Sequence, residues 1–305
     1  MKLKRIVMLA AALLFVFCVA ALAEEQAPKP SAPMTSTAGP GGQDFPVGKL
    51  ATLVNFQYGE SDHIRRHSDE LNDNSEVTKN VEVVKFRYGI LPNWDIRSAT
   101  PIYNLHIDNK NASDRTNYGV GDTTVLLHSV VLNQAQGDSF YLALDYGAVL
   151  PTGSTTAHSV NGIGSGAWGL TGGVLGTYFL GSNRFDTEFN YATFAEGNRD
   201  FEKGDRFRWN ASYAYALTNM WDLGVESNFE WNDETELHGA RQKDASTEWY
   251  VGPKAVFKYQ PWGLTVGMAG LAPAYRWYQN TKVGSDDYRF EMKVIKTFDV
   301  GSFFN

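Results

Sequence analysis

Four sets of residues in this chain have the types that do chemistry, and each set demands its own geometry. His158-Ser159-Val160-Asn161-Gly162 brings a base next to a hydroxyl. The lipase pattern it approximates has one residue between the His and Ser-Asn-Gly, so that base and nucleophile share a strand face. Adjacent residues on a strand point to opposite faces, and this stretch falls in a long loop, so no enzymatic activity is expected from it. His63 and His67 are four apart, a metal-ligand spacing only on a helix; here they share a loop with Arg65, Arg66 and several acids, so no metal is expected. The glycines between 162 and 176 precede no helix, so they form no phosphate loop and relieve crowding in a curved sheet. No other cofactor motif appears. The fourth set is a series of ionisable residues, Asp122, His128, Asp145, Arg208, Glu226, Glu230 and Lys254, each at an inward position within alternating apolar and polar sequence.

That alternation reveals the elements that position them. From Lys49 onward, segments of about ten residues alternate, the length of a tilted membrane strand. Phe207, Trp209, Tyr213 and Tyr215 interleave with Arg206, Arg208, Asn210 and Ser212, and Leu223, Val225 and Phe229 interleave with Asp222, Glu226 and Glu230. Pairing the two strands through Thr218-Asn219-Met220 puts Trp209 beside Phe229 and Arg208 beside Glu230, apolar outside and charged inside. A second pairing, through Gln134 to Asp138, puts His128 beside Asp145. A carboxylate there favours the imidazolium, a pH-sensitive contact.

Twelve such strands can be counted, near 49–58, 80–90, 94–107, 118–133, 139–151, 166–180, 184–196, 205–217, 221–232, 246–259, 262–277 and 286–298. Long polar connections alternate with short turns, and Trp94, Trp221 and Trp262 fall at short turns while Trp168, Trp231, Trp249 and Trp277 fall toward the long loops. A soluble sandwich also alternates its strands, but it has no reason to sort loops and tryptophans this way. The reading is all-β: a closed antiparallel transmembrane barrel of about 12 strands, occupying 49–305, with both termini in the periplasm.

The first residues agree. Lys2, Lys4 and Arg5, an apolar stretch from Ile6 to Ala20, and Ala21-Leu22-Ala23 read as a cleaved secretory signal over 1–23. Residues 24–48 are rich in Pro, Ser and Gly, a periplasmic tail, disordered or tucked into the barrel mouth. Cys18 falls within the signal and is the only cysteine, so no disulfide is available to the rest. Losing the signal takes the formal charge from −7 to −10, which argues against nucleic acid as a partner.

Three stretches carry a resemblance: Tyr118-Gly119-Val120-Gly121-Asp122-Thr123-Thr124-Val125, Val149-Leu150-Pro151-Thr152-Gly153, and Gly162-Ile163-Gly164-Ser165-Gly166. The turns Tyr88-Gly89-Ile90-Leu91-Pro92-Asn93-Trp94-Asp95 and Tyr215-Ala216-Leu217-Thr218-Asn219-Met220-Trp221-Asp222 add to it. From about residue 80 onward the chain resembles the outer-membrane transporter family of the meta pathway of phenol degradation, with His128 where that family would carry a basic residue such as Lys. The resemblance implies an outer-membrane channel for small solutes, hydrophobic or aromatic ones included, with outer-membrane lipid and a small molecule as partners. The competing expectation is a non-conducting structural or adhesive barrel acting through its extracellular loops. Paired charges filling the lumen would favour the second, an open path the first. Pro101, Pro253 and Pro273 mark places where the wall could be interrupted.

Overall fold

The computed structural model describes residues 41–62, 64–71, 75–109, 114–153, 163–197, 200–282 and 285–300. The expected signal, the tail up to residue 40, His63 and the His158–Gly162 stretch lie outside them.

Twelve strands form the wall. They are β1 (Lys49–Ser61), β2 (Ser75–Leu91), β3 (Trp94–Asn109), β4 in two pieces (Arg115–Val120 and Thr123–Leu132), β5 (Tyr141–Leu150) and β6 (Gly169–Leu180). After them come β7 (Asn183–Phe194), β8 (Arg206–Ala216), β9 (Trp221–Asn232), β10 (Ser246–Tyr259), β11 (Leu264–Lys282) and β12 (Tyr288–Asp299). Each pairs antiparallel with its neighbours in sequence, and β1 pairs with β12 from Lys49–Asp299 to Glu60–Tyr288. Closure leaves no ladder edge bare, the condition for a sheet to cross a bilayer.

The two registers expected from the sequence are those formed: Arg208 faces Glu230, Trp209 faces Phe229, and His128 faces Asp145. Outside, aromatic rings run across strands, with Phe189 over Trp209 at 6.1 Å and 4° and Phe185 against Tyr213 at 5.2 Å. The outer face can afford these apolar groups because lipid is their solvent. Inside, Ala143 and Leu175 are fully buried in an apolar cluster with Val130 and Tyr141, and Ala192 in another with Val149 and Phe194, so part of the lumen is packed.

The structure corrects the sequence reading at several strands. The expected strand 118–133 is interrupted at Gly121-Asp122, where β4 shifts its register against β3 by one residue: Ile102 faces Val120, but Ala99 faces Thr124. Pro101 explains the shift, since it has no N–H for the ladder, and its carbonyl takes the Gly121 N–H at 2.7 Å. The β10–β11 ladder also shifts between Trp249 and Tyr250, beside Pro273, and its pairing passes from Val251–Ala272 to Lys254–Ala269, across Pro253. The strand expected from 166 begins at Gly169. The connection expected at 59–79 is shortened by longer β1 and β2 and holds a hairpin, Ile64–His67 with Asp69–Leu71, that adds to β11. In the connections flanking β8 and β9, Phe201–Glu202, Glu236–Leu237 and Ala240–Arg241 make a separate small sheet.

Candidate functional site

The lumen divides into two halves. At the short-turn end the chain's own residues Gly41 to Pro46 lie inside the barrel, immediately before β1. Gly42 donates its N–H to Thr177 Oγ1 at 2.9 Å, and a Cβ on Gly42 would stand 2.9 Å from the Leu175 carbonyl oxygen, so only glycine fits this close to the wall. The Gln43 carbonyl accepts from Arg87 Nη2 at 2.6 Å and faces His128 Nε2 at 3.2 Å, and its side-chain oxygen accepts from Arg184 Nη1 at 2.8 Å. The Arg87 guanidinium lies over the Phe45 ring at 5.0 Å.

Around this segment the wall is a continuous ionic network. Asp95, fully buried, accepts from Arg87 at 2.6 Å and Arg97 at 2.7 Å; Arg97 reaches on to Asp145 at 3.3 Å, and Asp145 meets His128 Nδ1 at 2.5 Å. The Gln43 carbonyl can only accept, so Nε2 of His128 must carry a hydrogen to bond it, and one proton lies between Nδ1 and Asp145 whichever of the two holds it. Beyond it, Asp186 takes Arg184 and Thr177, Lys254 donates to Ser212 at 3.0 Å, and Lys258 donates to Asp222 at 2.6 Å. Buried charges are tolerable only when paired in this way.

The long-loop half is open. It holds a cavity of about 440 Å³ whose lining includes Lys85, Tyr103, Asp122, Lys203, Arg206, Arg208, Glu230 and Glu291. Asp122, released from the ladder by the register shift, accepts from Gly153 N at 3.0 Å and from Ser165 N and Oγ at 2.7 Å each, which ties the ends of the 152–165 connection to the wall. Arg208 donates to Glu230 at 2.5 Å. The rim on the β10–β12 side is closed by Asp286, which takes Lys79 and Arg289, and by Asp287, which takes Arg65 and Arg276, all at 3.0 Å.

Over residues 60–283 the chain matches the family model described as "Putative MetA-pathway of phenol degradation". The chain belongs to this family. Its fold is also that of the COG4313 outer membrane channel from Pseudomonas putida F1, with a TM-score of 0.70 at 16% identity, covering 83% of this chain and 97% of that one. The translocator domain of the autotransporter NalP from Neisseria meningitidis matches with a TM-score of 0.47 at 11% identity, covering 83% of this chain and 89% of that one. No curated protein matches the chain in sequence. This family member is an outer-membrane β-barrel.

The seven residues singled out from sequence separate between the halves. Asp122, Arg208 and Glu230 line the cavity, whereas His128, Asp145, Glu226 and Lys254 are buried in the packed region. Lys203 was missed, because it belongs to a connection that alternation does not describe. The spacing Lys203-x-x-Arg206-x-Arg208, three cations leading onto an inward strand face, was the available signal.

Proposed function

We propose that this barrel is a channel for small solutes across the outer membrane, hydrophobic and aromatic compounds included. The observation that carries the reading is the 440 Å³ cavity within the lumen of the long-loop half, lined by polar and charged side chains at a depth where every such group is a candidate for function. Family membership and the shared fold of a solved outer membrane channel support it. On this reading residues 1–23 direct export, 24–48 form the periplasmic segment whose end enters the barrel, and 49–305 span the membrane. No catalytic, metal or cofactor role is assigned.

A second reading has an observation of its own. Residues 41–46 and the ion pairs around Asp95 fill the short-turn half, as in a barrel that conducts nothing and acts through its loops. Single-channel recording of the purified protein in planar bilayers separates the two. The channel reading expects discrete conductance steps, together with slower uptake of a small aromatic solute when the gene is deleted. Silence in the bilayer and unchanged uptake of aromatic, fatty and polar solutes alike would leave the non-conducting barrel.

A further inference from the structure

The cavity of the long-loop half carries more positive charge than its own carboxylates neutralise. Lys203 precedes β8, and Arg206 and Arg208 follow on the inward face of that strand. Arg208 is paired with Glu230, and the other Glu230 oxygen accepts from Asn232 Nδ2 at 3.0 Å, so both oxygens are engaged. The remaining carboxylates of the cavity are held elsewhere. Asp122 accepts from Gly153 and Ser165, Glu248 takes the Tyr278 hydroxyl at 2.8 Å and Arg289 at 3.5 Å, and Glu291 accepts from Asn228 Nδ2 at 3.5 Å. Among the described residues no carboxylate lies within 4.0 Å of Lys203 or Arg206, and Arg206 Nε is buried with no hydrogen-bond partner. An orphaned donor on a charged group is costly, which makes it informative beside open volume: the described residues leave it without an acceptor where a ligand has room to supply one.

The rest of the lining says what else that acceptor must carry. Pro101, Tyr103, Val149, Ile163 and Phe194 give the same cavity an apolar surface, and Lys203 Nζ stands 5.0 Å over the Phe194 ring. Inorganic phosphate would satisfy the cations and leave this surface unused. An uncharged aromatic would cover the surface and leave the cations unmet. A planar guanidinium is matched by a carboxylate, which it can hold by two parallel hydrogen bonds.

We propose that this cavity binds a small aromatic carboxylate, with the carboxylate on Arg206 and Lys203 and the ring against Phe194 and Tyr103. The inference rests on the channel reading, for which it names the solute class.

Equilibrium titration calorimetry on the detergent-solubilised, folded protein at low salt tests it, with benzoate, benzyl alcohol and inorganic phosphate as probes. Benzoate should bind saturably and about ten-fold or more tighter than either comparator, the worth of one charge-assisted hydrogen bond. Arg206→Gln should weaken benzoate about ten-fold or more, and Lys203→Gln severalfold. Lys203 lies outside the strands, so its variant keeps the test alive if the other does not fold. Equal binding of benzoate and benzyl alcohol, phosphate binding as tight as benzoate, or unchanged benzoate affinity in the folded variants would overturn the proposal. Binding in detergent does not depend on conduction, so absent binding with conductance intact removes this site alone, whereas binding without conductance removes the channel.

Discussion

In the short-turn half of the lumen, Asp95 engages Arg87 and Arg97 at once and residues 41–45 pack against the wall beside them. In the long-loop half, Lys203 and Arg206 border open volume with no carboxylate paired to them among the described residues. Both halves place ionisable side chains at membrane depth, and both must offset the cost of taking a charge out of water. One does so with partners from the same chain and thereby becomes a packed interior. The other leaves the offset to water or to a visitor, and keeps its volume. Charge inside a barrel therefore signals a pathway only where the partners run out.

The contrast is broken most severely at Asp95. Asp95→Ala would leave half-buried Arg87 with the Gln43 carbonyl alone and buried Arg97 with Asp145 at 3.3 Å, and the loss should reach about 3 kcal/mol. The urea midpoint for loss of the folded, heat-modifiable band on unboiled gels measures it. A loss under about 1 kcal/mol would mean that water already reaches this half.

Deleting residues 41–46 tests the same half by function. Arg87 and His128 lose the Gln43 carbonyl and Thr177 loses the Gly42 amide, while the Asp95 pairs remain, so the barrel should stay folded. Single-channel conductance should rise severalfold. Unchanged conductance would locate the constriction among the ion pairs instead.

The open half can be sharpened by pH. Burial, then the neighbouring Arg206 and Arg208, push the Lys203 ammonium down to about 8, against the pull of Asp122 and Glu230. The sign follows from this lowered folded-state value: the charged form is penalised in the folded protein below about pH 8, and the penalty fades as pH rises toward the unfolded lysine range. Benzoate affinity should therefore fall severalfold between pH 7 and pH 10, and Lys203→Gln should flatten the profile. A bound anion raises the lysine value and moves the fall toward higher pH. An identical profile in the variant would assign the fall to another group.

The smallest effect belongs to the Arg208–Glu230 pair, whose side chains retain 42% and 36% exposure in the cavity. A double-mutant cycle with Arg208→Gln and Glu230→Gln should give a coupling of about 1 kcal/mol or less. A coupling of several kcal/mol would show that this half is as dry as the other.

Much of this architecture was legible in the residues. Phe207, Trp209 and Tyr213 against Leu223, Val225 and Phe229 fix the β8–β9 register because a slip of one residue would turn arginines into lipid. The His128–Asp145 pairing followed from the same logic. The shift at Gly121-Asp122 did not, since Pro101, its cause, lies on the neighbouring strand and alternation within one strand carries no record of it. Alternation also gives the face of a side chain and never its number of partners, so Arg206 could be placed inward, but the lack of a carboxylate beside it among the described residues could not be read. That Gln43, Arg87 and Asp95 gather on the His128–Asp145 pair was equally invisible, because they come from three further segments.

The pairing of β1 with β12 also bears on how the barrel is assembled. Lys49 finds Asp299 only after about 250 intervening residues have been placed. Until then, the first strand has one satisfied side, toward β2, and one bare side, and so does whichever strand was added last. A bare edge is a template for any other chain nearby, and closing so long a loop is slow. The wall contacts of residues 41–46 come from strands between β2 and β7, so the inner segment can be cradled by half a barrel well before the seam forms. The final zip then needs shelter from outside the chain, and its speed, more than the depth of the folded minimum, sets how much of the newly exported protein reaches the membrane intact.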